Sequence, residues 1–320
     1  MIVGDETGTF EPLLERDGLK VSRSPWGPED EIGRLNWITS ASTQAVLEQL
    51  DGGAVFDLAV SYFLGMPSWT PAGDPPYQIW MTHTAQGTVN DDLSSAGAEV
   101  NQAYSYSGDA ISMYTHCGTH LDTLNHFGYF GCYWNGWEPA THLGSRHWLV
   151  GGPDKYPTII ARGVLLDVAG LHGADCLPDS YAVTGDDLQA CAREEKVELR
   201  RGDVVLVRTG RMGAWPDFDA YVTNPPGLGL SGARYLCEDA EAMCIAADTL
   251  SFEVVPAEGR GFMPVHCYMF ATAGAQIIEV VRMDELAAAR LYEFAFIGGP
   301  LKLTGATGSP LRPIAIPFRR

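Results

Sequence analysis

The chain has 320 residues, 46% of them hydrophobic and 19% charged, which is the make-up of a folded globular protein. A domain of this size buries roughly 75% of its unfolded surface and needs no disulfide staples. Its 40 Asp and Glu against 21 Lys and Arg give a formal charge of -19, which repels phosphate backbones and anionic lipid heads and so excludes nucleic acid and membrane as partners.

Residues Met1 to Phe10 carry Asp5 and Glu6 but no basic flank with an apolar stretch, so no signal peptide is expected. No run approaches the roughly 18 apolar residues that span a bilayer. The seven cysteines are scattered without a CxxC pair, which points to a reduced, cytoplasmic setting. Breakers are spread evenly, with 36 Gly and 20 Pro, as suits many short elements. In chain order, a helix is expected over Ser40 to Leu50, ended by Gly52-Gly53, followed by strands at Val55 to Tyr62, Tyr77 to Thr84 and Ala110 to Thr115.

The second half alternates more regularly. Strands are expected at Gly163 to Val168, Asp203 to Thr209, Met243 to Ala247, Gln276 to Val281 and Tyr292 to Ile297. Helices fall between them at Thr184 to Lys196, Ser231 to Glu241, Pro264 to Ala273 and Met283 to Leu291, the first opened by a Thr184 N-cap with Asp187 three residues on. This alternation predicts an α/β fold, a mixed sheet with flanking helices. With no internal boundary, it reads as a single domain over 55-320 preceded by an N-terminal extension over 1-54.

Chemistry concentrates in Met113 to Asn135, MYTHCGTHLDTLNHFGYFGCYWN, which holds three of the chain's 8 histidines. His116, His120 and Asp122 form a three-ligand set that leaves a metal position open for water, as catalytic sites do. A metal held so polarises a carbonyl and brings the pKa of its water to about 7. Zn and Mn both suit two imidazoles and a carboxylate. Gly118 lets the backbone turn so that both rings converge. The pattern is not HExxH, because Cys117 stands where that motif has glutamate, and Cys117 reads as a small buried residue rather than a nucleophile. His126 lies outside the HxxxHxD spacing and is assigned to proton transfer.

The segment His116-Cys-Gly-Thr-His120-Leu-Asp122-Thr-Leu-Asn-His126-Phe127 resembles the HxGTHxDxxxHF signature of the cyclase-like metal-dependent hydrolases, which include bacterial kynurenine formamidases and isatin hydrolases. FDLAVSYFLGMPSWTPAGD (Phe56 to Asp74), RGDVVLVRTG (Arg201 to Gly210), CIAADTLSFE (Cys244 to Glu253), PVHCYMFATAGAQIIEVVRMDEL (Pro264 to Leu286) and the leader SPWGPEDEIGRLNWIT (Ser24 to Thr39) are similar to further segments of that family. Leu124 departs from the proline usual in kynurenine formamidases. The resemblance implies a swivelling β/β/α architecture and one or two Zn or Mn ions. His116, His120 and Asp122 would be metal ligands, His266 and Glu279 would complete a second position with the shared aspartate, and His126 would be catalytic, with Glu279 beside it. It also implies a homodimer or homotetramer.

Phe127, Trp69 and Trp80 are candidate pocket residues, although core packing explains many aromatics equally well, Tyr104, Tyr106 and Tyr129 among them. His83 reads as a surface or core residue, His142, His147 and His172 have no partner pattern, and Asp248 and Ser251 either support the site from a strand end or cap a turn. The expected reaction is hydrolysis of a small, neutral cyclic or aryl amide by metal-activated water, of the isatin hydrolase or arylformamidase type. The alternatives are a dienelactone-type lactone hydrolase, a catalytically idle metal-binding or ligand-binding member, and a polyketide-type cyclase.

Overall fold

The computed structural model describes residues 10–92, 95–259 and 261–319. The segment Met1 to Phe10, where no signal peptide is expected, falls almost wholly in residues 1–9, outside the described residues. Nine strands form one sheet: β1 (Phe56–Asp57), β2 (His120–Asp122), β3 (Ile159–Asp167), β4 (Val204–Arg208), β5 (Cys244–Ala247), β6 (Gln276–Glu279), β7 (Glu293–Gly298), β8 (Gly308–Pro310) and β9 (Ile314–Pro317). Their order across the sheet is β8-β2-β6-β5-β4-β3-β7-β9-β1. The four central strands β3, β4, β5 and β6 run parallel, while β2 and β8 on one side and β7, β9 and β1 on the other pair antiparallel. This is the mixed sheet the alternation predicts, and ahead of it the helix expected over Ser40 to Leu50 forms as α1 (Ser40–Leu47).

Both faces of the parallel strands are covered, which explains why β4 reads as a nearly unbroken apolar run, VVLVR. One face packs Val205, Val207, Ile245 and Ile277 against α2 (Gly185–Glu195), α3 (Leu230–Arg234) and α4 (Pro264–Cys267). The other packs Val204, Leu206, Ala246 and Ile278 against Leu35 and α5 (Asp284–Ala289). Thr184 caps α2 in a full capping box with Asp187.

Several elements depart from expectation. The strand expected over Val55 to Tyr62 shrinks to β1, because the next backbone donors are diverted: Leu58 N–H to the Pro313 carbonyl, and Val60 N–H to the Thr119 hydroxyl. The helices expected over Ser231 to Glu241 and Pro264 to Ala273 both change to π-helical turns halfway, at Tyr235–Asp239 and Tyr268–Ala273. Such turns are frequent beside functional sites. Two strands, β8 and β9, follow β7, and their Pro310 and Pro317 obscure them in the sequence.

Residues ahead of β1 latch onto the sheet through polar groups. The Arg34 guanidinium donates to the carbonyls of Ala273 and Ala242 at 2.7 and 2.9 Å, and Asp30 accepts from Ser24 and the Trp134 indole. All seven cysteines are free. Among the described residues, no helix is long and apolar enough to cross a membrane.

Candidate metal centre

The short strand β2 carries the chemistry. Alternation along a strand sends His120 and Asp122 to one face and Leu121 to the other, where it joins the core. Antiparallel pairing sets Glu279 of β6 opposite His120 and Ile277 opposite Asp122. Glu279 therefore shares the face of the two motif residues despite lying far away in sequence. On the other side, Gly308 of β8 pairs with Asp122. Helix α4 supplies His266 from above the same face.

The turn before β2 is fixed from three directions. Gly118 has φ +58, and a Cβ there would lie 2.7 Å from the Tyr62 ring, so glycine is required both by conformation and by space. The Tyr62 hydroxyl donates to the Thr119 carbonyl at 2.7 Å, and the Thr119 hydroxyl donates to the Val280 carbonyl at 2.7 Å. These contacts hold His116 and His120 on either side of the turn.

Two groups of potential ligands result, His116/His120/Asp122 and Asp122/His266/Glu279, with Asp122 common to both. Asp122 Oδ1 lies 2.6 Å from His116 Nδ1 and 3.2 Å from His120 Nε2, and its Oδ2 lies 3.9 Å from His266 Nε2. Glu279 spans the pair in the same way, at 3.2 Å from both His120 Nε2 and His266 Nε2. All five side chains are at most 5% exposed.

The donor set fits a divalent cation. His120 Nδ1–H donates to the Gly118 carbonyl at 2.8 Å, which turns Nε2 into the cluster, yet this buried nitrogen has no hydrogen-bond partner among the described residues. It stands close to two carboxylates without the alignment of a hydrogen bond to either. An orphaned buried nitrogen aimed at two acids is costly unless a cation completes it. The titration behaviour agrees: burial opposes charge on His120, but contacts with Asp122 and Glu279 outweigh it and push its pKa up to about 10. His266 is likewise pushed up to about 10, burial being overcome by Glu253 and Glu279. Asp122 resists the upward push of its own burial and is held well below the usual carboxylate range by His116 and His120. A site that gathers protons among its acids has room for positive charge, and a metal would replace those protons.

His126 is placed differently. Its ring stacks on His116 at 3.9 Å and 20°, and touches Phe127 edge-on at 4.5 Å. No hydrogen bond engages its nitrogens among the described residues, and it belongs to neither ligand group. Burial, reinforced by the neighbouring His116, holds its pKa well below the ordinary histidine value, so the ring stays neutral and able to accept a proton. Cys117 is fully buried against Met66 and Tyr77, and desolvation pushes its thiol up to about 12, which leaves it unreactive.

Of the three aromatics proposed for the pocket, Phe127 sits 5.1 Å from the His266 ring and adjoins the centre. Trp69 packs among Val60, Met212, Tyr221 and Leu250 instead. Trp80 is 49% exposed on a two-stranded ribbon formed by Gln78–His83 and Gly108–Ser112. Asp248 braces a loop, accepting from Thr209 and from the Gly210 N–H. Two contributors were not singled out as site residues: Thr307, whose hydroxyl lies 2.9 Å from His116 Nε2 across 191 residues, and Glu253, which ends the family-like segment Cys244 to Glu253 and stands behind His266. A cavity of about 650 Å³ elsewhere, lined by Trp37, Arg162, Arg201 and Asp203, contains none of the ligand groups. The site is located by its donors rather than by volume.

Fold and site together place the chain in a family. The Cyclase family, described as "Putative cyclase", matches residues 56–254, and the chain belongs to it. Among curated relatives, Cyclase-like protein 3 of Oryza sativa subsp. japonica is 24% identical over 270 residues, 83% of this chain and 80% of that protein. A solved structure of a novel cyclase superposes with a TM-score of 0.79 at 28% identity, covering 91% of this chain and 97% of the other. Isatin hydrolase A from Labrenzia aggregata shares the fold at a TM-score of 0.60 and 19% identity, over 83% and 94% of the two chains.

Proposed function

We propose that this protein is a metal-dependent hydrolase that opens a small, neutral cyclic or aryl amide with water. The observation that carries the reading is the pair of ligand groups sharing Asp122, with the orphaned His120 Nε2 between two carboxylates and the unengaged His126 ring stacked alongside. His116, His120 and Asp122 would hold one zinc or manganese ion, and Asp122, His266 and Glu279 a second. When bound, such an ion supplies Lewis acidity, polarising a carbonyl oxygen and making water a stronger acid.

The protein's own residues do the rest. His126, neutral and half-buried, accepts a proton from the attacking water as the O–C bond forms, then returns it to the leaving nitrogen as the C–N bond breaks. Stacking on His116 keeps its ring beside the centre without occupying a ligand position. Phe127 offers an apolar wall where a flat substrate can lie while excluding water. The shared fold of isatin hydrolase A supports the cyclic amide as the first substrate to try.

The test is hydrolysis of isatin, N-formylkynurenine, simple γ-lactams and lactones, each with and without a chelator. The reading expects turnover of an amide that stops on chelation and returns with zinc or manganese. Turnover confined to lactones would replace the amide by an ester, and undiminished turnover in metal-free protein would remove the metal.

A further inference from the structure

His266 meets carboxyl groups on both sides. Its Nε2 faces Glu279 and Asp122, while its Nδ1 lies 2.6 Å from Glu253 Oε1. Glu253 has no exposed surface, and it also accepts the backbone N–H of His266 at 3.0 Å and that of Val265 at 3.2 Å. Its carboxylate therefore meets two backbone N–H donors and the ring Nδ1, all from two consecutive residues of α4.

The backbone is shaped to put it there. Phe252, just before it, has φ +53, a left-handed conformation that favours glycine and persists only where the surroundings over-determine it. The Leu228 N–H donates to the Phe252 carbonyl at 3.0 Å, and the Phe252 ring stands edge-on to His266 at 5.8 Å. Gly227 gives the clearance, since a Cβ there would come within 2.4 Å of the Glu253 carbonyl carbon. An unfavourable turn, a close backbone approach and a buried acid all converge on one imidazole nitrogen.

We infer that Glu253 is the positioning residue of the second metal position, holding His266 with its proton on Nδ1 so that the Nε2 lone pair faces Asp122 and Glu279. The inference rests on the metal reading above. An imidazole can present either nitrogen, and the partner of one decides which lone pair is left for a metal. His120 obtains the same selection from the Gly118 carbonyl, and His266 obtains it from a side chain that can be changed without touching the backbone.

The experiment compares the full-length chain with Glu253→Gln, using zinc titrated against a competing chromophoric chelator. The amide keeps the volume and one acceptor oxygen but turns an N–H₂ toward a backbone donor. One zinc per chain should bind about 10- to 100-fold more weakly in Glu253→Gln, while the other keeps its wild-type affinity. In parallel, ¹⁵N spectra of histidine-labelled, zinc-loaded wild type should show the His266 proton on Nδ1. If Glu253→Gln fails to fold, that spectrum decides alone. Unchanged affinity for every zinc, or a His266 proton on Nε2, overturns the assignment while leaving a metal centre standing. A wild-type chain that takes up no zinc overturns the metal reading and this inference with it.

Discussion

Replacing Gly308 by alanine tests how closely the fold holds His116. Gly308 has no positive φ, so alanine brings no backbone strain and the effect is one of contact alone. The added Cβ would lie 2.6 Å from His116 Cε1, 2.9 Å from Nδ1 and 3.0 Å from Nε2. Nitrogen distances so little longer than the Cε1 distance put it over the ring face rather than in the ring plane, and, with Gly308 on that side, the His126 ring stacked at 3.9 Å takes the other. The imidazole must move about 0.8 Å to restore an ordinary contact near 3.4 Å, and it cannot retreat without moving His126 too. Overpacking of this kind costs about 1–3 kcal/mol, so the protein stays folded. A misplacement near 1 Å in a catalytic constellation costs roughly 100-fold in rate, and kcat/KM should fall by about that factor. Urea unfolding, zinc titration and steady-state kinetics on one preparation give the three values. A folded Gly308→Ala protein with wild-type zinc affinity and wild-type kcat/KM would refute the placement of His116 in the working site.

Other substitutions separate the remaining roles. His126→Ala should keep its metal while kcat falls about 10²- to 10⁴-fold, and metal lost in step with rate would make His126 a ligand. Cys117→Ala should retain activity, and the wild type should resist iodoacetamide, because the thiol is buried and pushed up to about 12; rapid inactivation by alkylation at Cys117 would contradict this. Burial pushes Glu195 up to about 7 from an ordinary 4.5, despite the N–H it accepts from Asp167. Its folded form holds the proton more tightly than the unfolded chain, so the stability it contributes is complete below pH 4.5 and is lost as pH rises through about 7. Glu195→Gln should therefore be more stable than wild type at pH 8, by about 1–2 kcal/mol after allowing for its partial exposure, and equal to it at pH 4. Parallel urea midpoints for the two proteins from pH 4 to pH 8 would refute that origin.

What the sequence made legible follows physical range. The parallel core could be read because burial on both faces leaves continuous apolar runs, as in Val204–Arg208, and because Thr184 and Asp187 announce a helix locally. The residues of the His116 group span six positions, so their spacing is visible in the chain. Glu279 faces them only through the β2–β6 register, and the likeness of one segment to a family, rather than any spacing, brought it into view. Thr307 is joined to the site by a tertiary contact alone, with no pattern around it, and Glu253 ends a family-like segment whose likeness says nothing of its contact with His266. The π-helical turns after Arg234 and Cys267 were hidden for a related reason: their side chains keep a helical apolar pattern while the hydrogen bonding changes.

Asp122 belongs to both ligand groups, so a single substitution tests the centre as a whole. Equilibrium dialysis of wild type and Asp122→Ala against zinc and manganese, with metal counted per folded chain, is the direct measurement. Wild type should retain metal, and Asp122→Ala should lose it from both positions together. An Asp122→Ala protein that keeps the wild-type metal content would contradict a centre built on this aspartate.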